Sequence, residues 1–255
     1  MKKLSLAVLL ALVSANVIAD EKNNWDGLYG SVLIGYTDGD VKEKNGLSHY
    51  TDDTDYLNYG GGKASLTGIS GTLKIGYNKQ IVNNNLIGLE LGATFQDADS
   101  NQRMFDAYKD LQDPDAVIDY GYDRDYPLNV KTKVNNYQTL ALRFGHIFNE
   151  DTLVYALAGG AIGRIERKLT QRGGLNWFDL NYSTTERKTE TGYVLGLGVE
   201  HKINANLALR ASYEYVDFGN ISMTYSGPYD GLTGTIKQSH KVDFSNLSIG
   251  LTYQF

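Results

Sequence analysis

The stretch Ser248-Ile249-Gly250-Leu251-Thr252-Tyr253-Gln254-Phe255 closes the sequence and decides the fold. Apolar or aromatic residues occupy every second position, and small or polar residues lie between them. Strict alternation over eight residues predicts a β-strand with one apolar and one polar face. A last strand of this kind, without a polar tail, is typical of a closed barrel in which the last strand pairs with the first. We therefore expect a barrel.

The spacing of this strand also resembles a recognition signal. Ser248, Gly250, Tyr253 and Phe255 form a polar-x-Gly-x-x-aromatic-x-aromatic pattern. It is similar to the carboxy-terminal signal by which bacterial outer-membrane barrels are recognised for assembly. The resemblance implies the barrel-assembly machinery as a partner and these four residues as the assembly signal.

The amino-terminal segment predicts export. Met1-Lys2-Lys3 is basic, residues 4–13 form an apolar run of ten residues, and Val17-Ile18-Ala19 places small residues before a cleavage point. These features predict a signal peptide over residues 1–19 and one barrel domain over residues 20–255. The apolar run is too short to cross a bilayer as a helix.

The composition narrows the class of protein. The 255 residues carry a formal net charge of −6, which argues against nucleic acid as a partner. The absence of Cys excludes a disulfide framework. With 19 Tyr, 28 Gly and only 3 Pro, the chain has the composition of long strands with aromatic girdles at a membrane surface. A soluble secreted β-sandwich has a similar composition and stays open on this ground alone.

The order of strands and connections favours the membrane barrel. Short Asn/Asp-rich turns at 83–84, 149–151 and 204–206 alternate with long polar stretches at 38–64, 97–134, 166–189 and 219–241. We therefore predict an all-β fold: an eight-stranded antiparallel transmembrane β-barrel with four long extracellular loops and three short periplasmic turns. The predicted strands are approximately 25–37, 65–80, 85–96, 135–148, 152–165, 190–203, 207–218 and 242–255.

Several blocks of the chain resemble one known family. They are Trp25-Asp26-Gly27-Leu28-Tyr29-Gly30, Ile34-Gly35-Tyr36, residues 155–161, residues 196–200 and residues 210–219. The chain is similar in these blocks to the opacity and surface-antigen porin family of small, OmpA-like outer-membrane barrels. The resemblance implies eight strands, the outer membrane as location and a role at the cell surface. It implies no catalytic residues.

Strand phase predicts a charged lumen. If the apolar positions face lipid, then five charged side chains point inwards: Lys74, Glu90, Arg143, Arg210 and Glu214. An eight-stranded barrel has an interior that side chains can fill. Unpaired buried charges are strongly disfavoured, so we expect these groups to pair with one another. Two interpretations stay open, a polar core that fills the barrel and a gated path for ions.

Two of the predicted loops carry opposite charge. The third has a basic set that suits the phosphates of the outer-leaflet glycolipid, lipopolysaccharide: Arg167, Lys168, Arg172, Arg187 and Lys188. The second holds nine Asp between Asp97 and Asp125 without an EF-hand pattern. We interpret it as a solvated acidic loop, with a calcium site as the alternative. No cofactor or metal site is predicted.

The four histidines decide whether an enzyme is plausible. His146 and His201 lie at the predicted periplasmic ends and face outwards by phase, and His49 lies in the first loop. His240 follows Ser239, but neighbours in a strand point to opposite faces and cannot form a catalytic pair. We therefore predict a non-enzymatic outer-membrane barrel with an envelope-structural or surface-interaction role. The alternatives are a narrow diffusion pore, single or oligomeric, and a lipid-acting enzyme.

Overall fold

The alternating segments of the sequence form β-strands in the computed structural model. The structure describes residues 25–43, 46–49, 56–59, 62–104, 106–108, 128–171, 182–229 and 232–255. None of them belongs to a helix long and apolar enough to cross a membrane. The predicted signal peptide lies outside the described residues. The strands are β1 Gly27–Glu43, β2 Gly46–His49, β3 Tyr56–Tyr59, β4 Gly62–Gln80, β5 Asn85–Met104, β6 Asp106–Tyr108, β7 Leu128–Phe148, β8 Thr152–Gln171, β9 Tyr182–Lys202, β10 Leu207–Tyr229 and β11 Leu232–Gln254.

Eight long strands form a closed antiparallel ring, which confirms the predicted fold class. Their order is β1-β4-β5-β7-β8-β9-β10-β11, and β11 pairs back onto β1 from Tyr29–Gln254 to Glu43–His240. The amide of Phe255 extends this seam by donating to the carbonyl of Leu28 at 3.0 Å. The short strands β2, β3 and β6 continue the sheet from the far end of β11. The carboxy-terminal strand therefore closes the barrel.

Short connections gather at one end of the ring, which we call the turn end. They comprise residues 81–84, 149–151 and 203–206. Asn83, Asn84, Asn149 and Glu150 have positive φ angles of 61°, 59°, 48° and 63°. Asn tolerates this left-handed conformation because its short side chain bonds locally to the backbone. The Asn-rich pairs therefore suit the tight reversals that they make.

The strands run well past their predicted ends at the opposite, outer end, so the prediction of four long loops was wrong in part. β1 continues to Glu43, β5 to Met104 and β8 to Gln171. The largest difference concerns the predicted loop 219–241, where β10 ends at Tyr229 and β11 begins at Leu232. This connection is a hairpin of extended strands and not a long loop.

The reason for the error is that the apolar residues change from the outward to the inward positions along several strands, as β8 illustrates. In β8 the outward side chains are apolar or small from Val154 to Ile162 and then become charged at Arg164. Beyond that point the inward side chains are the apolar ones, as at Ile165 and Leu169. Exposed apolar side chains thus form a belt around the ring, which we call the apolar belt and which is the surface a membrane barrel turns to lipid. Beyond the belt the outward side chains are mostly polar and the buried inward ones mostly apolar.

The part of the ring beyond the belt, the outer barrel, has its own hydrophobic core. Its inward side chains are almost completely buried, as in a water-soluble barrel. Tyr137, Phe218 and Phe244 form the floor of this core, with ring centroids 5.4 Å and 6.1 Å from that of Phe244. The core side chains above them are Val41, Leu66, Ala98, Val130, Val134, Ile165, Leu169, Ile221 and Val242.

One seam of the wall ends early. The ladder between β9 and β10 stops at Tyr193–Asp217, although both strands continue outwards. A register shift follows Asp217, and Gly219 takes a positive φ of 68° while its amide donates to Asp217 Oδ1 at 2.7 Å. β10 pairs with β11 on both sides of this shift, from Leu207–Tyr253 to Tyr229–Leu232. The outer β10–β11 hairpin is thus joined to the ring by backbone pairing through β11, and by the bond from Lys188 Nζ to the carbonyl of Ser222 at 3.4 Å.

The ring should resist sodium dodecyl sulfate, because at the level of the apolar belt it is closed and has no free strand edge at which unpairing can begin. We expect purified protein folded in detergent to migrate at different apparent masses before and after boiling on a gel. A chain that ends at Tyr229 lacks the closing strand and serves as the control, with equal migration in both lanes. Equal migration of the full-length chain would contradict the closed ring.

Candidate functional site

The lumen at the level of the apolar belt holds a cluster of six charged side chains, which we call the lumenal charge network. All are at most 6% exposed. Three are positive and three are negative, so their formal charges cancel. The network contains the five predicted residues and one more: Lys74, Glu90, Arg143, Glu200, Arg210 and Glu214.

Glu90 is the centre of the network. Arg210 binds it in a bidentate manner, with Nη1 at 2.7 Å from Oε2 and Nη2 at 3.0 Å from Oε1. Lys74 Nζ donates to Oε1 at 2.8 Å, and the Tyr29 hydroxyl donates to Oε2 at 2.7 Å. Charge-assisted and bidentate bonds of this kind are the strongest hydrogen bonds that side chains make. Four donors thus hold one buried carboxylate.

The other two carboxylates are bound from across the lumen. Glu200 Oε1 accepts a hydrogen bond from Arg143 Nη2 at 2.8 Å and lies 3.4 Å from Arg210 Nη1. Glu214 accepts one from Lys74. Arg210 and Glu214 lie on the same strand, and each finds its partner on another strand. The network therefore ties four strands, β4, β5, β7 and β9, to β10.

Tyrosine rings cover the guanidinium groups. The Arg143 guanidinium lies 3.7 Å from the ring centroid of Tyr155 and 5.2 Å from that of Tyr29. Arg210 approaches the Tyr155 ring to 5.1 Å. Cations at these distances are attracted to the ring faces, and the contact strengthens when water is excluded. The charges are thus packed against aromatic surface.

Both sides of the network are filled. Towards the outer end, Asn246 donates to Thr37 at 3.0 Å and to Ser70 at 2.7 Å, and Thr37 donates to Gln96 at 2.8 Å. At the turn end, Trp25 is 2% exposed and donates from its indole nitrogen to the carbonyl of Glu150 at 2.9 Å. The ammonium of Lys202 lies 4.8 Å from the Trp25 ring centroid. The lumen therefore holds side chains along its whole described length.

Glu200 was missed by the sequence analysis. It lies in phase with Gly196 and Gly198, where an added Cβ would meet the inward side chains of Glu214 and Tyr155. Extending the phase of β9 by one inward position would have added the third negative charge and balanced the network.

A second buried cluster, the outer triad, consists of Glu43, Arg167 and His240. Glu43 and His240 are directly opposite on β1 and β11, and Arg167 reaches them from β8. Its guanidinium donates to Glu43 and, at 2.7 Å, to His240 Nδ1. Because Arg167 is 0% exposed, the expectation that it contacts glycolipid was wrong. The prediction failed because β8 extends past Ile165 and turns Arg167 inwards.

The outer triad removes His240 as a candidate base. A guanidinium only donates, so Nδ1 must accept and the ring proton must lie on Nε2. Burial, together with the positive charges of Arg167 and Lys188, lowers the pKa of His240 to about 3. Burial raises the pKa of Glu43, while the neighbouring Arg167 opposes the rise. His240 is therefore neutral, and its only basic nitrogen is occupied.

The remaining histidines have local partners or lie outside the description. His146 contacts Asn85 at 2.9 Å and His201 contacts Thr152 at 3.0 Å, both on the exposed surface of the turn end. The side chain of His49 is not among those described. Across the described part of the chain, no three His, Asp or Glu side chains are placed to hold a metal ion.

The other residues of the predicted basic set differ in their exposure and in their ion pairs. Lys168 is exposed, Arg187 is exposed and pairs with Glu166 at 2.7 Å, and Lys188 pairs with Glu190 at 2.6 Å. Arg172 lies outside the described residues.

The acidic run of the predicted second loop begins on described strands. Asp97 pairs with Lys133 at 3.7 Å and Asp99 with Lys131 at 2.7 Å. Most of the remaining Asp residues of this run lie within residues 109–127, outside the described residues. The calcium site that was the alternative interpretation would lie there too.

The chain is similar to one family model and to several known proteins. Residues 5–255 match the family model described as outer membrane protein beta-barrel domain. The 31 kDa outer-membrane immunogenic proteins of Brucella melitensis and Brucella suis are 24% identical over 270 residues, with both chains fully covered. Among solved structures, OprG of Pseudomonas aeruginosa is 15% identical with a TM-score of 0.49, covering 92% of this chain and 99% of that one. The Escherichia coli protease OmpT is 11% identical with a TM-score of 0.45, covering 90% and 97%.

Replacing Arg210 should destabilise the barrel, because Arg210→Ala leaves Glu90 buried without its bidentate partner. Breaking a buried pair in this way costs about 3–5 kcal/mol. We expect a clearly lower thermal midpoint in detergent, measured by circular dichroism. Lys63→Ala is the control, because the pair of Lys63 and Asp40 lies at the surface with a lysine side chain that is 62% exposed. An unchanged midpoint for Arg210→Ala would show that the lumen is hydrated enough to replace the pair.

Proposed function

Because this chain belongs to the outer membrane protein beta-barrel domain family, we propose that it is a non-enzymatic barrel of the outer membrane, closed to ions, with a role at the envelope surface. In such barrels the short turns face the periplasm, so the outer barrel faces the exterior. The single observation that supports closure is the lumenal charge network, whose six side chains balance one another and are at most 6% exposed.

The pore alternative needs a continuous aqueous path, which the packing disfavours. The lumen of an eight-stranded ring is narrow enough to be filled by side chains. Here Trp25 occupies the turn end, the charge network occupies the middle and an apolar core occupies the outer barrel. An ion crossing this interior would have to separate bound charges and then enter a hydrophobic layer.

A surface role is supported by the chemistry of the outer barrel and by its relatives. Proteins named outer-membrane immunogenic protein are similar over the whole chain. We infer that this protein, too, presents its outer barrel to partners outside the cell. A lipid-acting or proteolytic enzyme is disfavoured because Arg167 occupies the basic nitrogen of His240. The exposed cations Lys168, Arg187 and Lys188 keep lipopolysaccharide as the proposed partner at the membrane surface.

A closed lumen should prevent ions from passing through the protein. In planar bilayers we expect wild-type protein to carry no steady current, whereas Arg210→Ala loosens the charge network and raises the current slightly. Lys63→Ala, which leaves the lumen untouched, should behave as the wild type. Steady conduction by the wild type, with Arg210→Ala altering only ion selectivity, would replace this proposal by the pore.

The terminal residues are proposed to act in assembly. Phe255 makes one backbone bond to β1 and one aromatic contact, at 5.3 Å between its ring centroid and that of Tyr253. Deleting Phe255 should therefore lower the amount of assembled barrel much more than the thermal midpoint of the barrels that form. Quantifying heat-shifted protein in outer-membrane fractions checks this. Normal levels of the truncated protein would contradict the proposal that Phe255 is part of an assembly signal.

A further inference from the structure

The outer barrel has an open seam between β9 and β10. The backbone ladder between these strands ends at Tyr193–Asp217, although β9 reaches outwards to Tyr182 and β10 to Tyr229. Over this outer length each strand keeps the ladder on its other side, β9 with β8 and β10 with β11. The side of β9 that faces the seam over residues 182–192, which we call the β9 edge, thus has no strand paired to it among the described residues.

Two hydrogen bonds at the turn end fix which backbone groups the β9 edge exposes. The amide of Lys202 donates to the carbonyl of Asp151 on the β8 side at 2.8 Å. The amide of Ile203 donates to the carbonyl of Leu207 on the β10 side at 2.7 Å. Backbone groups alternate between the two sides of a strand, and the β8–β9 register has no shift. The odd-numbered residues of the β9 edge therefore direct their amides and carbonyls into the seam.

The bulge in β10 shapes the opposite side of the seam. Its extra residue shifts the alternation by one, and Ser222 then turns its carbonyl towards the seam, where Lys188 of β9 donates to it at 3.4 Å. Pro228 has the same phase as Ser222. Proline has no amide hydrogen and is accommodated at strand edges that face solvent. The outer part of β10 thus has the sequence of an edge strand.

Water reaches the inner face of the wall at this seam. Lys188 lies directly opposite Ile165 of β8 and therefore has an inward phase. Its side chain is nevertheless 49% exposed, whereas Ile165 and its inward neighbour Arg167 are 0% exposed. An inward lysine is half exposed here because the wall beside it is open. The β9 edge is therefore accessible from the solvent.

We propose that the β9 edge binds an extended segment of a partner polypeptide outside the cell, which joins the sheet as a strand antiparallel to β9. The inference deepens the proposed surface role and rests on it, but it does not depend on a closed lumen. A free strand edge offers a row of donors and acceptors that another chain can pair with, and many domains bind extended peptides in this way. The β9 edge suits such pairing because it contains no Pro and is rich in Thr, a residue enriched in strands.

The surroundings of the seam set the pattern of the bound segment. On the outward face, the side chains of the β9 edge are polar, as at Arg187 and Thr189. On the inward face, the side chain of β10 across the seam is Ile221, which is 0% exposed and belongs to the hydrophobic core. We therefore expect a segment that alternates polar and apolar residues, with its apolar side chains pointing inwards.

A second copy of the chain fits the seam less well. The two sides of the seam are held by the ladders to β8 and β11 out to Gln171–Tyr182 and Tyr229–Leu232. Moving either side outwards to meet a neighbouring barrel would bend a paired wall. In the membrane, two barrels would also meet first through the side chains of their apolar belts. A single extended segment requires neither movement nor contact between belts.

The probe is a fluorescein-labelled synthetic peptide of about ten residues, a length that covers the β9 edge. It alternates Thr and Val between terminal Lys residues. In an antiparallel pair with Val inwards, the Thr amides face β9, because directly opposed residues share a face. A control peptide carries N-methyl groups on these Thr amides and keeps every side chain. Fluorescence anisotropy with full-length protein in detergent micelles should show about tenfold or more weaker binding of the control peptide.

A variant tests the same hydrogen bonds from the side of the protein. Thr189 is exposed and odd-numbered, so Thr189→Pro removes an amide that faces the seam and leaves the β8–β9 ladder in place. Thr189→Val is the matched control, because it changes the same side chain and keeps the amide. We expect about tenfold weaker peptide binding for Thr189→Pro and a change within about twofold for Thr189→Val. The gel shift on boiling verifies that both variants are folded.

Four outcomes would overturn the site. They are no binding of the unmethylated peptide to the wild type, equal binding of the two peptides, equal weakening by the two variants, and a dimer mass that Thr189→Pro abolishes. Current measurements on the same preparations separate this test from the proposed closure. A conducting barrel with the expected peptide binding would reject the closed lumen and keep the site. An insulating barrel that binds no peptide would keep the closed lumen and reject the site.

Discussion

Each long strand of this protein passes through two solvents, and the rest of the structure follows from that constraint. Where lipid surrounds the ring, apolar side chains face outwards and polar ones must be satisfied inside, because hydrocarbon offers no hydrogen bonds. Where water surrounds the ring, the apolar side chains face inwards and form a core. The backbone continues unchanged through this boundary, and only the side chains change places. One sheet thus encloses a strongly charged interior at the level of the apolar belt and a mainly apolar one in the outer barrel.

The interior at the level of the apolar belt is held together by ion pairs, and the interior of the outer barrel by the packing of apolar side chains. Glu90 accepts hydrogen bonds from Arg210, Lys74 and Tyr29, which lie on three different strands. A slip of one residue in any of these strands would turn its member of the network towards lipid. The ion pairs therefore fix strand register as well as filling space. In the outer barrel the same task falls to aliphatic packing, with the outer triad holding β8 against the closing seam.

The sequence predicted correctly the parts of the strands whose outward face meets only one solvent. At the turn end, β4 and β7 finish at Gln80 and Phe148, as the sequence analysis predicted. The prediction succeeded there because the apolar residues stay on the outward face up to the end of each strand. The outer ends were missed because inward residues such as Val41 take over the apolar role that outward residues such as Tyr36 had before. Arg167 was assigned to a loop for the same reason. Which charges pair with which was not predictable, because partners such as Arg143 and Glu200 meet only across the closed ring.

The early end of the β9–β10 ladder has a consequence for how this surface diversifies. Past Asp217 and Gly219, the β10–β11 hairpin forms its backbone ladder with the ring only through β11, and β9 reaches it through the bond from Lys188 Nζ to the carbonyl of Ser222 at 3.4 Å. Residues added at its tip would lengthen a two-stranded arm without changing the circumference of the ring or any pairing below it. Insertions there are therefore expected to cost the fold little. The same independence makes the tip a natural place to graft a foreign peptide for display on living cells.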